Sequence, residues 1–225
     1  MGRDNQAKIR QLRRKEAKEA QRAVYARILI VTEGSKTEPL YLGEICAAHR
    51  LHSANVEVQP GQLGTAPMQV VLYAKQLFEH GDLNKGIRPK NYDQIYAVFD
   101  RDEHESYFNA LDLAQSLDGN LRNHDRQPVS FKAIASVPSF ELWLLLHYED
   151  IQSPIHRDEV MERLKQHIPG YDKGAGGMFA ITGDRLETAM LRAQLLAGKF
   201  NAYTDPEPFT GMHELVNLLV TLRTC

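Results

Sequence analysis

Three acidic residues stand where a sheet could gather them. Arg27-Ile-Leu-Ile-Val-Thr32 runs straight into Glu33-Gly34, and Gln94-Ile-Tyr-Ala-Val-Phe99 runs straight into Asp100-Arg-Asp102. Each apolar run reads as a strand buried on both faces. In an open parallel sheet, ligands collect outside the carboxyl ends of the strands. If these two strands are neighbours, Glu33, Asp100 and Asp102 converge at one edge. Carboxylates packed together repel one another and their pKa values climb. A hard divalent cation relieves that repulsion, and Mg²⁺ takes oxygen ligands while keeping several waters. The Asp-x-Asp spacing directs both side chains to one side of an extended chain end. Gly34 lets the backbone approach a ligand or turn sharply. One acid after a strand is most simply a helix N-terminal residue favoured by the dipole; the paired pattern argues for a metal site.

The elements that must position these acids can be read along the chain. Thr37 N-caps a helix running from Pro39 toward Arg50. Val56–Val58 is a short strand, and Thr65 opens a helix to about His80 with Met68, Val71, Leu77 and Phe78 in a helical stripe. A helix over 105–117, a strand over Val129–Ile134 and an apolar helix over Ser139–His147 follow. Strands alternating with helices predict an α/β fold, a parallel sheet flanked by helices. Beyond Tyr148 the pattern predicts helices at 156–167, 184–198 and near 211–222, the last capped by Thr210; Gly170–Gly177 separates the first two. This part reads as a helical C-terminal cover on the sheet and not as an independent domain. Asp4 to Ala23 lacks Gly and Pro and is rich in helix formers, but its apolar positions are sparse. The expected organisation is a basic helical leader over 1–25 and one domain over 26–225.

Composition narrows the classes. With 225 residues, 43% hydrophobic and 25% charged, a sizeable core is possible. No apolar stretch approaches the roughly 20 residues of a membrane span, and the N-terminus is charged where a secretory signal would be apolar. The expectation is a cytoplasmic protein with no membrane association. Two cysteines, Cys46 and Cys225, exclude a disulfide scaffold and a four-cysteine zinc site. The net charge of −2 divides into +6 over residues 1–27 and −8 over the rest. The leader is therefore either a contact for phosphate or a polyanionic partner, or a solvated helix. A haloacid-dehalogenase-type phosphatase also uses Asp-x-Asp, but wants Thr or Val where His104 stands and leaves Glu33-Gly34 without a role. Gly81 and Gly86 have Walker spacing, but Ile87-Arg88 follow them.

Four segments, in order, carry a family resemblance: Val-Thr-Glu33-Gly-Ser-Lys-Thr-Glu38-Pro, Phe-Asp100-Arg-Asp102, Pro-Ser-Phe-Glu141-Leu-Trp-Leu-Leu-Leu-His147, and Pro-Phe-Thr210-Gly-Met-His213-Glu-Leu-Val. Together they resemble the RloB-like family, Toprim-type proteins of bacterial restriction and abortive-infection loci. The first residue of Ser139-Phe-Glu141 departs from the Cys-Phe-Glu or similar triplet typical there. The resemblance implies a Toprim-like sheet and a nuclease dependent on Mg²⁺ or Mn²⁺. Glu33 would be base or metal ligand, and Asp100 and Asp102 metal ligands. Glu141 would complete a second metal position or serve as a first-turn capping acid.

Lys36 would stabilise phosphate charge or stand as a solvated loop lysine. Lys173, before Gly174-Ala-Gly-Gly177, would present a cation on a glycine-rich loop. His213 and His147 are substrate contacts or structural helix histidines, and His104 lies just past the acidic pair. The resemblance further implies nucleic acid as substrate, tRNA or DNA with RNA favoured, and a neighbouring ATPase as partner. Two cysteines exclude zinc-ribbon Toprim proteins, and the length excludes topoisomerases. The rival reading is a catalytically silent Toprim module that binds nucleic acid or the ATPase; divalent-ion binding separates the two.

Overall fold

The two acid-tipped apolar runs form strands, and they lie side by side. The computed structural model describes residues 26–222 apart from Ala54, Thr65 and Glu103. In it, β1 (Ile28–Thr32) pairs in parallel with β2 (Val56–Pro60) on one side and β3 (Gln94–Asp100) on the other. β5 (Pro128–Val137) continues the sheet beyond β3, again parallel. Two short strands, β4 (Leu121–Arg122) and β6 (Phe209–Thr210), pair with β5 antiparallel, so the order is β2-β1-β3-β5-β4 with β6 also on β5. The sheet is therefore mixed and mostly parallel. Two-residue strands are too short to show any period, which is why the sequence pattern predicts only the parallel ones.

Between and after the strands run α1 (Thr37–Ala48), α2 (Pro67–His80), α3 (Tyr107–Leu117), α4 (Glu141–Leu145), α5 (Arg157–His167), α6 (Met178–Thr182), α7 (Leu186–Ala197) and α8 (Met212–Thr221). Period-2 alternation sorts the strand side chains into two cores. Ile28, Ile30, Tyr96, Val98 and Ile134 face α1, α4, α5, α7 and α8. Leu29, Val31, Ile95, Ala97, Phe99 and Phe131 face α2 and α3. The region after 148 is thus a helical cover on one face of the sheet, as its texture predicts.

Several boundaries differ from expectation for identifiable reasons. The helix predicted over Ser139–His147 is only Glu141–Leu145, and Leu142, Trp143, Leu144, Leu145 and Leu146 are all completely buried. An apolar run enclosed on all sides has no polar face to mark where the helix ends. Thr37 does not cap α1; Lys36 holds the cap position, and the Thr37 hydroxyl accepts from the Gly174 amide instead. Thr210 acts as predicted but one residue early: Gly211 is the cap residue, and the Met212 amide donates to Thr210 Oγ1 at 3.3 Å. The helix predicted over 184–198 begins as a 3₁₀ turn, Gly183–Arg185, preceded by α6. The predicted helix start at Thr65 and the basic leader over 1–25 lie outside the described residues. Among the described residues, no helix is long and apolar enough to cross a membrane.

Candidate metal centre

Three adjacent parallel strands each deliver an acid at their carboxyl ends. β1 gives Glu33, β3 gives Asp100 and then Asp102, and β5 leads through Ser139 into Glu141 at the start of α4. A fifth acid, Glu38, comes from the first turn of α1. The Glu33 amide donates to the Val98 carbonyl at 2.8 Å, extending the β1–β3 ladder by one rung. Its carboxylate oxygen Oε2 accepts from the Asp100 amide at 2.9 Å. The predicted convergence of Glu33 with the Asp-x-Asp pair is present.

The acids divide into an outer and an inner set. Glu33, Asp102 and His104, all half-buried, each offer one ligand atom, and these atoms lie within 4.8 Å of one another. Asp100, expected beside Glu33 and Asp102 as a ligand, lies almost fully buried among the acids, next to Glu33 through its amide. It shares the sheet face of Tyr96 and Val98, the side covered by α1 and α4. There it meets the charges of Glu38 and Glu141, and all three are almost fully buried, at 6%, 8% and 2% exposure for Glu38, Asp100 and Glu141. Alternation puts residue 100 under the helices, while residue 102 has left the strand with φ +32° and opens outward.

Burial sets the electrostatics of both sets. It pushes the Glu33 carboxyl up to about 7; the charges of Asp102 and Glu38 add to this, while the Asp100 amide and Lys173 oppose it. Asp100 is raised well above the usual carboxylate range, first by desolvation and then by Glu38, Glu141, Glu33 and Asp102. Glu38 is raised by desolvation, with Glu141 adding and Lys173 opposing. Such a site gains from a cation.

Local packing explains the motif. A Cβ at Gly34 would stand 2.2 Å from Glu38 Oε2, so glycine here lets the Glu38 carboxylate approach the loop. Arg101 links Asp102 and His104: Nη1 donates to the Asp102 carbonyl at 2.8 Å and the His104 carbonyl at 3.3 Å, and Nη2 pairs with Asp205 at 3.1 Å. The guanidinium also lies over the Tyr107 and Phe108 rings, 5.1 and 5.4 Å from their centroids. Arg157 Nη1, from the start of α5, pairs with Asp102 Oδ1 at 2.8 Å. Asp102, His104, His156, Arg157 and Asp158 line an open cleft beside the outer set.

The remaining predicted residues fall in different places. Glu141 Oε2 accepts from the Ser139 hydroxyl at 2.8 Å, and Oε1 accepts from the Tyr171 hydroxyl at 3.3 Å. Lys173 Nζ pairs with the same Oε1 at 3.3 Å, so Lys173 belongs to the inner set. Lys36 is exposed, and its stem packs where a Cβ on Gly174 would stand. The Nδ1 of His213 meets the Thr210 carbonyl at 2.9 Å. His147 is a core histidine: its Nδ1 meets the Trp143 carbonyl, its ring lies edge-on to Trp143, and burial lowers its pKa to about 4. Sequence reasoning gave no role to Glu38, Tyr171, His156 or Arg157. Glu38 had a signal, a second acid five residues after Glu33; the other three enter from more than 50 residues past Asp102, with no local pattern to link them.

A family model described as RloB-like protein matches residues 28–219. No curated protein and no solved structure matches the chain.

Proposed function

The chain belongs to the RloB-like family, and from that membership and its outer ligand set we propose that it is a metal-dependent nuclease of nucleic acid, with RNA favoured over DNA. The observation that carries the reading is the Glu33–Asp102–His104 group, three ligand atoms within reach of one ion at the carboxyl edge of a parallel sheet. The donor set fits: two carboxylates suit Mg²⁺ or Mn²⁺, and an imidazole tilts the choice toward Mn²⁺. A bound ion there would supply charge neutralisation at a phosphoryl oxygen during in-line displacement.

The chain's own residues do the rest. The Asp100 amide orients Glu33. Arg101 Nη1 donates to the carbonyls of both Asp102 and His104, so one guanidinium ties the backbone of both candidate ligands. The exposed Lys36 and the half-exposed Lys173 offer positive charge to a phosphodiester backbone, and the cleft beside Arg157 gives that backbone a path. We assign the activity to bacterial anti-phage defence under a partner ATPase, on the family resemblance and on the lack of any nucleotide-hydrolysis motif in the chain.

One observation favours a catalytically silent module instead. Asp102 is already paired with Arg157 and Glu141 with Lys173, so part of the acidic charge is met without an ion. The deciding experiment incubates full-length protein with total tRNA, plasmid and Mn²⁺, with the neighbouring ATPase added, beside Glu33→Gln and Asp102→Asn. Loss of a ligand is expected to lower cleavage at least about 10-fold. Indistinguishable behaviour of all three proteins establishes the silent module.

A further inference from the structure

The inner acids are served by a cation that the chain supplies itself. Lys173 Nζ lies 3.3 Å from Glu141 Oε1, and its charge also acts on Glu33 and Glu38. The loop that carries it is fastened to α1 at three positions after the lysine. The Gly174 amide donates to Thr37 Oγ1 at 3.0 Å, and the Gly177 and Phe179 amides donate to the Glu44 carboxylate at 2.5 and 2.8 Å. Gly174 has φ +83°, and a Cβ there would stand 2.8 Å from the Lys36 stem, so the loop seats tightly only with glycine at that position. The backbone that carries Lys173 is therefore anchored, and its ammonium pairs with Glu141.

Resting on the nuclease reading, we propose that the site takes one divalent ion, at Glu33, Asp102 and His104, and that Lys173, paired with Glu141, is its permanent second cation in place of a second metal. Two observations carry this. The outer set brings three ligand atoms mutually within 4.8 Å, whereas among the inner acids Glu141 already faces the Lys173 ammonium. In two-metal centres the ions sit about 3.5–4 Å apart and clamp the attacking and leaving oxygens. An ion on Glu141 would be pressed against the ammonium, so the position is already filled. The Lys173 side chain is 45% exposed, which leaves its outer side open to a phosphate oxygen while its inner side meets Glu141. A fixed ammonium also needs no second ion to be recruited from solution.

The test counts ions on the full-length protein at pH 8, by calorimetry and by the electron paramagnetic resonance of Mn²⁺. Wild type is expected to bind one Mn²⁺ per chain, and Lys173→Arg, which keeps the charge, also one. Lys173→Met and Lys173→Gln are expected to bind two, because the inner carboxylates lose their resident cation; circular dichroism checks that both remain folded. His104→Ala is expected to bind its ion at least about 10-fold more weakly. Two ions on wild type, one ion on both uncharged Lys173 variants, or wild-type affinity in His104→Ala each overturn the inference. No ion on wild type overturns the metal-centre reading beneath it as well.

Discussion

Replacing Glu33 by Gln is expected to stabilise the metal-free protein while removing its affinity for metal. The Glu33 carboxyl has an ordinary value of 4.5 and is pushed to about 7 in the fold. As pH rises, the unfolded chain therefore gives up this proton first, and ionisation favours unfolding. Relative to a neutral group, the fold loses nothing below about pH 4.5, loses stability progressively up to about 7, and loses no more above that. The full loss corresponds to about 3 kcal/mol. Because Glu33 is partly exposed, about 2–3 kcal/mol is a fair expectation. At roughly 2–4 °C per kcal/mol for a domain of this size, Gln should raise the melting temperature by about 4–12 °C at pH 8.

The substitution is suited to the comparison because an amide oxygen can still accept from the Asp100 amide, while its NH₂ can donate toward the neighbouring acids. Asp100 and Glu38 are raised in both proteins, so their contributions largely cancel in the difference. The assay is thermal and urea denaturation of both proteins in EDTA, at pH 5 and at pH 8. The stabilisation should be small at pH 5 and several-fold larger at pH 8, and added Mn²⁺ should raise the melting temperature of wild type alone. A difference that does not change with pH, or a Gln variant less stable than wild type at pH 8, refutes the claim that burial of an ionised Glu33 is costly.

Two further outcomes follow from the same packing. Gly34→Ala places a Cβ 2.2 Å from Glu38 Oε2 and should cost about 1–3 kcal/mol in urea denaturation as Glu38 is displaced; an unchanged midpoint would mean that Glu38 moves aside freely. Arg157→Gln removes the cation that competes for Asp102, so calorimetry should show several-fold tighter Mn²⁺ binding, whereas weaker binding would make Arg157 a support for the ligand and not a rival.

The sheet and the meeting of its acids were legible because they rest on strong, short-range signals. Continuous β-branched and aromatic runs mark β1 and β3, and an acid directly after each marks the ligand edge. What escaped depends on contacts between distant segments. The two-residue β6 exists because β5 offers it an edge at Ser136 and Val137. Thr37 has the right residue type for a cap, yet its hydroxyl is taken by Gly174, 137 positions away. Arg157 reaches Asp102 from a helix whose own sequence reads as an ordinary solvated surface helix. None of these has a period or a spacing that a linear pattern could reveal.

The Asp-x-Asp pair shows where a simple spacing argument stops. On an ideal strand the two side chains would point to one face and serve one ion together. Here β3 ends at Asp100, and the chain turns before Asp102 with a positive φ, held by Arg101 and by the Asp102 amide donating to the Pro138 carbonyl at 3.3 Å. His104 also offers a ligand atom within 4.8 Å of Glu33. One acid is thereby buried among Glu38 and Glu141, where its ionisation is suppressed, and the other is delivered half-buried to the cleft. The inner acid then holds the backbone side of the site, since its amide donates to Glu33, while the outer acid stands beside the imidazole and is paired with Arg157. Two acids that read as equals in the sequence thus stand in unlike surroundings, one almost fully buried and one half-buried, separated by a single turn.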